Sequence, residues 1–216
     1  MAAALPPEER DEMAIPSYLH PNPLLRRMAW RRLEVIADHV HRWFDARSNA
    51  KSDTRVLDFG CGTGVLFRES LKHASTVYGV DIVLHAARML KEREHLEQVV
   101  LLDPAEVPDE VADHSVDAVI AAEVLEHFED LTEPLTLFRR VLKRDGRLFI
   151  SVPTESRLYK FGRRLAGFEG HYHHSNAAAI DREITRFGFR RVSKSHVPAP
   201  GPLSIYWVVE YAPPER

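Results

Sequence analysis

The residues best equipped for chemistry are concentrated in one stretch, V-L-D-F-G-C-G-T-G, from Val56 to Gly64. Gly60, Gly62 and Gly64 let a backbone turn tightly and let a ligand approach it without a Cβ in the way. Asp58 places a carboxylate two residues ahead of the first glycine. A negative charge there repels a pyrophosphate and suits a cationic or amine-bearing ligand. A second acid, Asp81, lies in T-V-Y-G-V-D-I, 23 residues beyond Asp58. At the tip of a second strand such a carboxylate accepts hydrogen bonds from ribose hydroxyls. A third acid, Asp103, opens D-P-A-E-V-P. Further on, E-V-L-E-H sets Glu123, Glu126 and His127 close together. His127 is the candidate general base, because an imidazole ordinarily titrates near neutrality. The glycine pattern is G-x-G-x-G. Val65 stands where a dinucleotide fingerprint needs its last glycine, which argues against a nicotinamide cofactor.

Those residues need elements to hold them. Val56 and Leu57 read as the end of a buried strand, and V-L-F-R-E-S-L has helical spacing, so the glycine turn opens onto a helix. A second strand spans Thr76 to Ile82 and a helix Val83 to Glu94. The third strand is Val99 to Leu102 and the fourth Val116 to Ala122. A helix from Thr132 to Leu142 leads through the turn Lys143 to Gly146 into a fifth strand, Arg147 to Pro153. Asn176 to Phe187 reads as a helix, capped by Ser175 and stopped by Gly188. Two last strands, Phe189 to His196 and Ser204 to Tyr211, are joined by P-A-P-G-P. Ahead of all this, apolar residues recur at helical spacing from Leu24 to Ala46: Leu25, Met28, Ala29, Leu33, Ile36, Ala37, Val40, Trp43 and Phe44. Tyr18 and His20 precede that helix and are placed to fold over a ligand. Alternating strands and helices predict an α/β domain with a parallel sheet. Ligands of such sheets bind beyond the carboxyl ends of the strands. Asp58 to Gly64, Asp81, Asp103, Ala122 and Glu123 all fall at those ends.

Composition narrows the classes. The chain has 216 residues, enough for one sizeable core. A net charge of −3 offers no bulk attraction for nucleic acid. Cys61 is the single cysteine, so no intramolecular disulfide and no cysteine-based metal site can form. It sits inside the glycine turn and reads as a small residue tolerated there. No apolar run is long enough to span a membrane. The acidic start M-A-A-A-L-P-P-E-E-R-D-E has no signal-peptide apolar core, and a cytoplasmic location is expected.

D-F-G-C-G-T-G resembles motif I of the class I S-adenosylmethionine-dependent methyltransferases. The resemblance covers about residues 50–212 and touches four motifs in the right order: the glycine turn, the acid Asp81, D-P-A-E-V-P, and E-V-L-E-H. It implies a Rossmann-like, seven-stranded, mostly parallel sheet of order 3-2-1-4-5-7-6, strand seven antiparallel, with helices on both faces. It implies S-adenosyl-L-methionine as cofactor, held by Asp58, Gly60, Cys61, Gly62, Asp81, Ile82, Asp103, Pro104, Ala122 and Glu123. Asp103 would receive the adenine amino group. Pro104 departs from the family's D-A-E-x-x-P pattern, which displaces the backbone donor expected beside that acid. The E-V-L-E-H segment would face the methionine end. The implied organisation is an N-terminal tail and capping helix over 1–49, then a methyltransferase domain over 50–216. A substrate-side insertion falls at about 154–175.

The implied reaction is methyl transfer to an oxygen or nitrogen of a small-molecule acceptor, with no metal. Arg157, Lys160, Arg163 and Arg164, interleaved with Leu158, Phe161 and Leu165, suit an anionic acceptor with an apolar part. Two other readings are open. Glu123, Glu126 and His127 with a downstream histidine (His171, His173 or His174) match the metal-binding segment of small-RNA 3′-terminal 2′-O-methyltransferases. Alternatively the domain binds the cofactor without catalysis, as an accessory subunit.

Overall fold

The computed structural model describes residues 18–47, 53–154 and 175–215. Their centre is a seven-stranded sheet of order β3-β2-β1-β4-β5-β7-β6. The strands are β1 (Arg55–Phe59), β2 (Thr76–Val80), β3 (Val99–Leu102), β4 (Val116–Ala122), β5 (Leu142–Pro153), β6 (Arg190–Val197) and β7 (Tyr206–Ala212). The first five run parallel, and β7 runs antiparallel between β5 and β6. This is the predicted order and the predicted direction of the last strands. The apolar run V-D-A-V-I-A-A of β4 is buried on both sides, as a central parallel strand must be.

Helices cover both faces. On one, α1 (Pro23–Asp45), α2 (Phe67–Leu71) and α3 (His85–Glu94) pack Leu33, Ile36, Val40, Phe67 and Ala87 against Val56, Ala118 and Phe149. On the other, α5 (Thr132–Val141) and α6 (Ala177–Arg186) pack Leu135, Phe138, Ile180 and Ile184 against Leu57, Val119 and Ile150. A short α4 (Val107–Glu110) follows a 3₁₀ turn, Pro104–Glu106, after β3. Each large apolar side chain so buried contributes about 1.5–3 kcal/mol. No helix among the described residues is long and apolar enough to cross a membrane.

Three local expectations differ. Lys143 to Gly146 is not a separate turn but part of β5, where pairing with β4 skips between Val116 and Ala118. The irregularity absorbs the extra residues that a tight turn would have taken. The cap of α6 is Asn176 rather than Ser175. Its side-chain oxygen accepts from Ala178 N and Ala179 N. The stop at Gly188 holds, with φ of +102°. The third difference is in α1, whose buried stripe includes Arg32 and His39 besides its apolar residues. The insertion expected at 154–175 lies almost wholly outside the described residues, as do Arg157, Lys160, Arg163, Arg164, His171, His173 and His174.

Candidate active site

The glycine turn after β1 is built as its sequence requires. Gly60, Gly62 and Gly64 have φ of +74°, +53° and +77°, a region costly for residues with a Cβ. Gly60 has a second reason to be glycine. A Cβ there would lie 2.6 Å from the Val124 side chain, so the turn packs directly on the loop after β4. The turn is pinned to β2 because Gly60 N and Cys61 N both donate to Val80 O, at 2.8 and 3.0 Å. Cys61 is buried between these strands and burial pushes its thiol far above the ordinary range. A thiol held protonated is a packing group, not a nucleophile.

Two acids face each other across this turn. Asp81 Oδ2 accepts from Gly62 N at 2.7 Å and Oδ1 from Val83 N at 3.1 Å, so backbone donors orient the carboxylate. Asp58 is 2% exposed, and no hydrogen bond to its carboxylate forms among the described residues. Burial, and then the neighbouring Asp81 charge, push the Asp58 carboxyl from its ordinary 3.8 up to about 7. A buried acid beside another acid is stabilised by a proton or by a nearby cation. Next to Asp81, Ile82 is 82% exposed and offers an uncovered apolar face.

Asp103 closes β3 and caps the 3₁₀ turn that follows. Its Oδ1 accepts from Ala105 N at 2.9 Å, and Glu106 Oε2 accepts from Asp103 N at 2.7 Å. Pro104 therefore occupies the first helical position, where its missing N–H is harmless. The Ala105 N–H is thereby taken up by Asp103 itself.

At the tip of β4, Ala122 is followed by Glu123, a non-glycine residue at φ of +56°. Glu123 N donates to Ser151 O at 2.8 Å. The Glu123 carboxylate is ion-paired with Arg32 of α1. Arg32 is 2% exposed, and its guanidinium lies 5.5 Å from the centroid of the Tyr18 ring and 5.1 Å from that of Tyr206. Burial raises the Tyr206 phenol, with Arg32 opposing and Glu126 adding to the rise. Arg32, Glu123, Glu126, Tyr18 and Tyr206 thus form one layer at the mouth of the sheet. The sequence pattern missed Arg32 and Tyr206. A signal for Arg32 existed: it falls between Ala29 and Ile36 in the buried phase of an amphipathic helix, where a charge needs a partner. Tyr18 does fold inward, whereas His20 serves locally, its Nδ1 accepting from Asn22 N at 3.0 Å.

Glu126 is buried at 1% exposure while His127 is exposed, so the 3₁₀ turn Leu125–His127 sends them to different environments. Glu123 is engaged by Arg32, and the downstream histidines His171, His173 and His174 lie outside the described residues. Among the described residues no group of three or more His, Cys, Asp or Glu side chains could hold a metal.

A surface cleft of about 520 Å³ lies elsewhere, among Arg47, Arg144, Asp145, Arg147 and Arg190. It is at the amino ends of the parallel strands, away from the glycine turn and the strand-tip acids, and takes no part in this site.

A family model described as a methyltransferase domain matches residues 28–194. Among related sequences, the ubiquinone biosynthesis O-methyltransferase of Acinetobacter baylyi is 28% identical over 116 residues, 50% of this chain and 48% of the relative. The chain thus spans about half the length of the curated relatives it matches. Among solved structures, the fold is similar to 1,6-didemethyltoxoflavin-N1-methyltransferase of Burkholderia thailandensis, solved with 1,6-didemethyltoxoflavin and S-adenosylhomocysteine. The TM-score is 0.63 at 20% identity, covering 85% of this chain and 79% of that one. It is equally similar to the N-methyltransferase NodS of Bradyrhizobium japonicum in complex with S-adenosylhomocysteine. There the TM-score is 0.63 at 17% identity, covering 91% of each chain. With the family model spanning residues 28–194 and the strand order as described, the chain belongs to the class I S-adenosylmethionine-dependent methyltransferases. The residues present suit that cofactor: a turn with three positive-φ glycines, an oriented carboxylate beside an exposed apolar residue, and a buried acid suited to a cation.

Proposed function

We propose that the protein transfers a methyl group to an oxygen or nitrogen of a small-molecule acceptor. The observation that supports this is the buried Asp58 beside Asp81, a pair of acids whose charge a cationic ligand stabilises. In this reading Asp58 faces the cofactor's positively charged methionine end across the turn of Gly60, Cys61 and Gly62. Asp81, oriented by Gly62 N and Val83 N, accepts from the ribose hydroxyls. Ile82 covers one face of the adenine, and Asp103 meets its polar edge. Ala122 and Glu123 border the methionine end.

S-adenosylmethionine supplies an already activated methyl on a sulfonium. The chain's own work is then to hold the acceptor in line, to exclude water, and to take a proton where the acceptor carries one. His127 is exposed at the mouth beyond β4, and we assign it the proton-accepting role at its ring nitrogen. The wall of Tyr18, Arg32 and Tyr206 borders the same mouth from the segment before α1, from α1 and from β7. An acceptor carrying a phosphate or carboxylate is proposed from the basic residues 157–164. Charge reversal of Arg157 and Arg164 should raise the acceptor's KM at low salt and leave cofactor affinity unchanged.

The test is direct. Purified protein is titrated with S-adenosylhomocysteine in a calorimeter. It is then incubated with S-adenosylmethionine and a panel of phenols, catechols, amines and carboxylates, with S-adenosylhomocysteine release as readout. Turnover with at least one acceptor, unaffected by EDTA, is expected. Binding without release across the panel would favour an accessory role. Turnover abolished by EDTA and restored by Mg²⁺ or Mn²⁺ would instead favour the RNA 2′-O-methyltransferase reading.

A further inference from the structure

The layer at the sheet mouth contains a strained glutamate and a buried arginine from the other end of the chain. A left-handed backbone at a residue other than glycine costs on the order of 1–3 kcal/mol and persists only where its surroundings enforce it. At Glu123 the surroundings are Ser151, whose carbonyl fixes the backbone N–H, and Arg32, which takes the carboxylate. The Ser151 hydroxyl reaches the same carboxylate oxygen, Oε1, at 3.4 Å. Arg32 is itself immobilised. It is planar, nearly sealed from solvent, and bounded by the Tyr18 and Tyr206 rings. A simple strut docking α1 on the sheet needs none of this: Leu33, Ile36, Val40, Trp43 and Phe44 already bury that helix. Leaving a guanidinium and a carboxylate buried is a poor route to stability. The pair sits instead where β4 meets the glycine turn, with Val124 packed against Gly60.

We infer that Arg32 is a positioning residue: it fixes the Glu123 carboxylate so that this acid receives the ammonium group of the cofactor's amino-acid part. The inference rests on the methyltransferase reading above. A carboxylate has about four lone-pair sites on two oxygens, so pairing with Arg32 leaves acceptor capacity for a second cation. Arg32 meets Glu123 Oε1 through Nε, and a planar guanidinium held in place sets the direction of such an ion pair in a way that a point charge does not. It follows that α1, which lies outside the glycine-turn unit, is part of the cofactor site through one side chain.

The experiment compares two ligands by calorimetry. S-adenosylhomocysteine carries the ammonium, whereas 5′-methylthioadenosine shares the adenosine and sulfur but lacks the amino-acid part. Wild type should bind both. Arg32→Met should weaken S-adenosylhomocysteine by about tenfold or more, the scale of a misplaced charge-assisted bond, and change methylthioadenosine by less than about twofold. The double variant Arg32→Met with Glu123→Gln should bind S-adenosylhomocysteine no worse than Glu123→Gln alone, because Arg32 acts through Glu123. If Arg32→Met does not fold, Arg32→Lys keeps the charge without the fork and should show the same selective loss at smaller size. Equal weakening of both ligands would reduce Arg32 to a packing residue, and additive losses would separate it from Glu123; either overturns the inference. Wild-type protein that binds neither ligand would instead overturn the methyltransferase reading on which the inference rests.

Discussion

Replacing Asp58 with asparagine should stabilise the ligand-free protein above neutral pH and weaken its hold on the cofactor. The side chains are close in shape, so the change removes a charge and leaves packing nearly intact. Burial and Asp81 together raise the Asp58 carboxyl from 3.8 to about 7. A folded-state value above the unfolded one means the folded protein binds more protons between those pH values. Stability in this interval therefore falls as pH rises, beginning near the unfolded value and complete once pH exceeds about 7. At 1.36 kcal/mol per pH unit, the displacement corresponds to a penalty of about 4 kcal/mol above neutrality. Asparagine escapes that penalty, so urea unfolding should show the variant more stable than wild type by about 2–4 kcal/mol at pH 8 and nearly equal to it at pH 4. The same charge attracts the cofactor. Below about pH 7 the acid is protonated in the free protein, so a cationic ligand must first displace that proton. Wild-type affinity for S-adenosylmethionine should therefore fall by up to about tenfold per pH unit on acidification, and the asparagine variant should show a flat profile. Equal stability of variant and wild type at pH 8 would refute the premise that Asp58 is a strained, unpartnered charge.

Other predictions concern neighbouring residues. Gly60→Ala forces a Cβ to within 2.6 Å of Val124 at a φ of +74°, and should destabilise the protein by about 2–4 kcal/mol in denaturant titrations. Asp81→Ala should weaken S-adenosylhomocysteine binding by about 1–3 kcal/mol, and unchanged affinity in the folded variant would remove Asp81 from the site. His127→Ala should lower kcat by about 10²-fold or more for an acceptor that must lose a proton, with cofactor affinity retained. A kcat within twofold of wild type would leave His127 without a chemical role.

What the sequence makes legible follows the range of the forces involved. The glycine turn is legible because its requirement is local: three residues must adopt positive φ, and glycine does so without strain. The strand-tip acids are legible because parallel order puts every strand's carboxyl end on one side, so Asp58, Asp81 and Glu123 gather once the order is known. Element ends are less legible because neighbours compete for them. Ser175 and Asn176 can both cap α6, and the backbone position that gives Asn176 two amide donors decides it. Lys143 to Gly146 has turn chemistry, yet Leu142 before it and Arg147 after it both pair with β4, so the segment is carried within β5 as an irregularity. Arg32 is the hardest case. Within α1 it is one arginine among several, and its partner, Glu123, is 91 residues away in the chain. Its burial phase marks it as anomalous, since a charge on the buried face needs an opposite charge there, but only the folded sheet supplies the identity of that charge. The E-V-L-E-H segment carries the same lesson in reverse. Its three chemical side chains look like one ligand set on paper, whereas the 3₁₀ turn buries Glu126, exposes His127 and hands Glu123 to α1. Backbone geometry divides these three residues among ion pairing, burial and solvent exposure, a division that their order in the chain does not reveal.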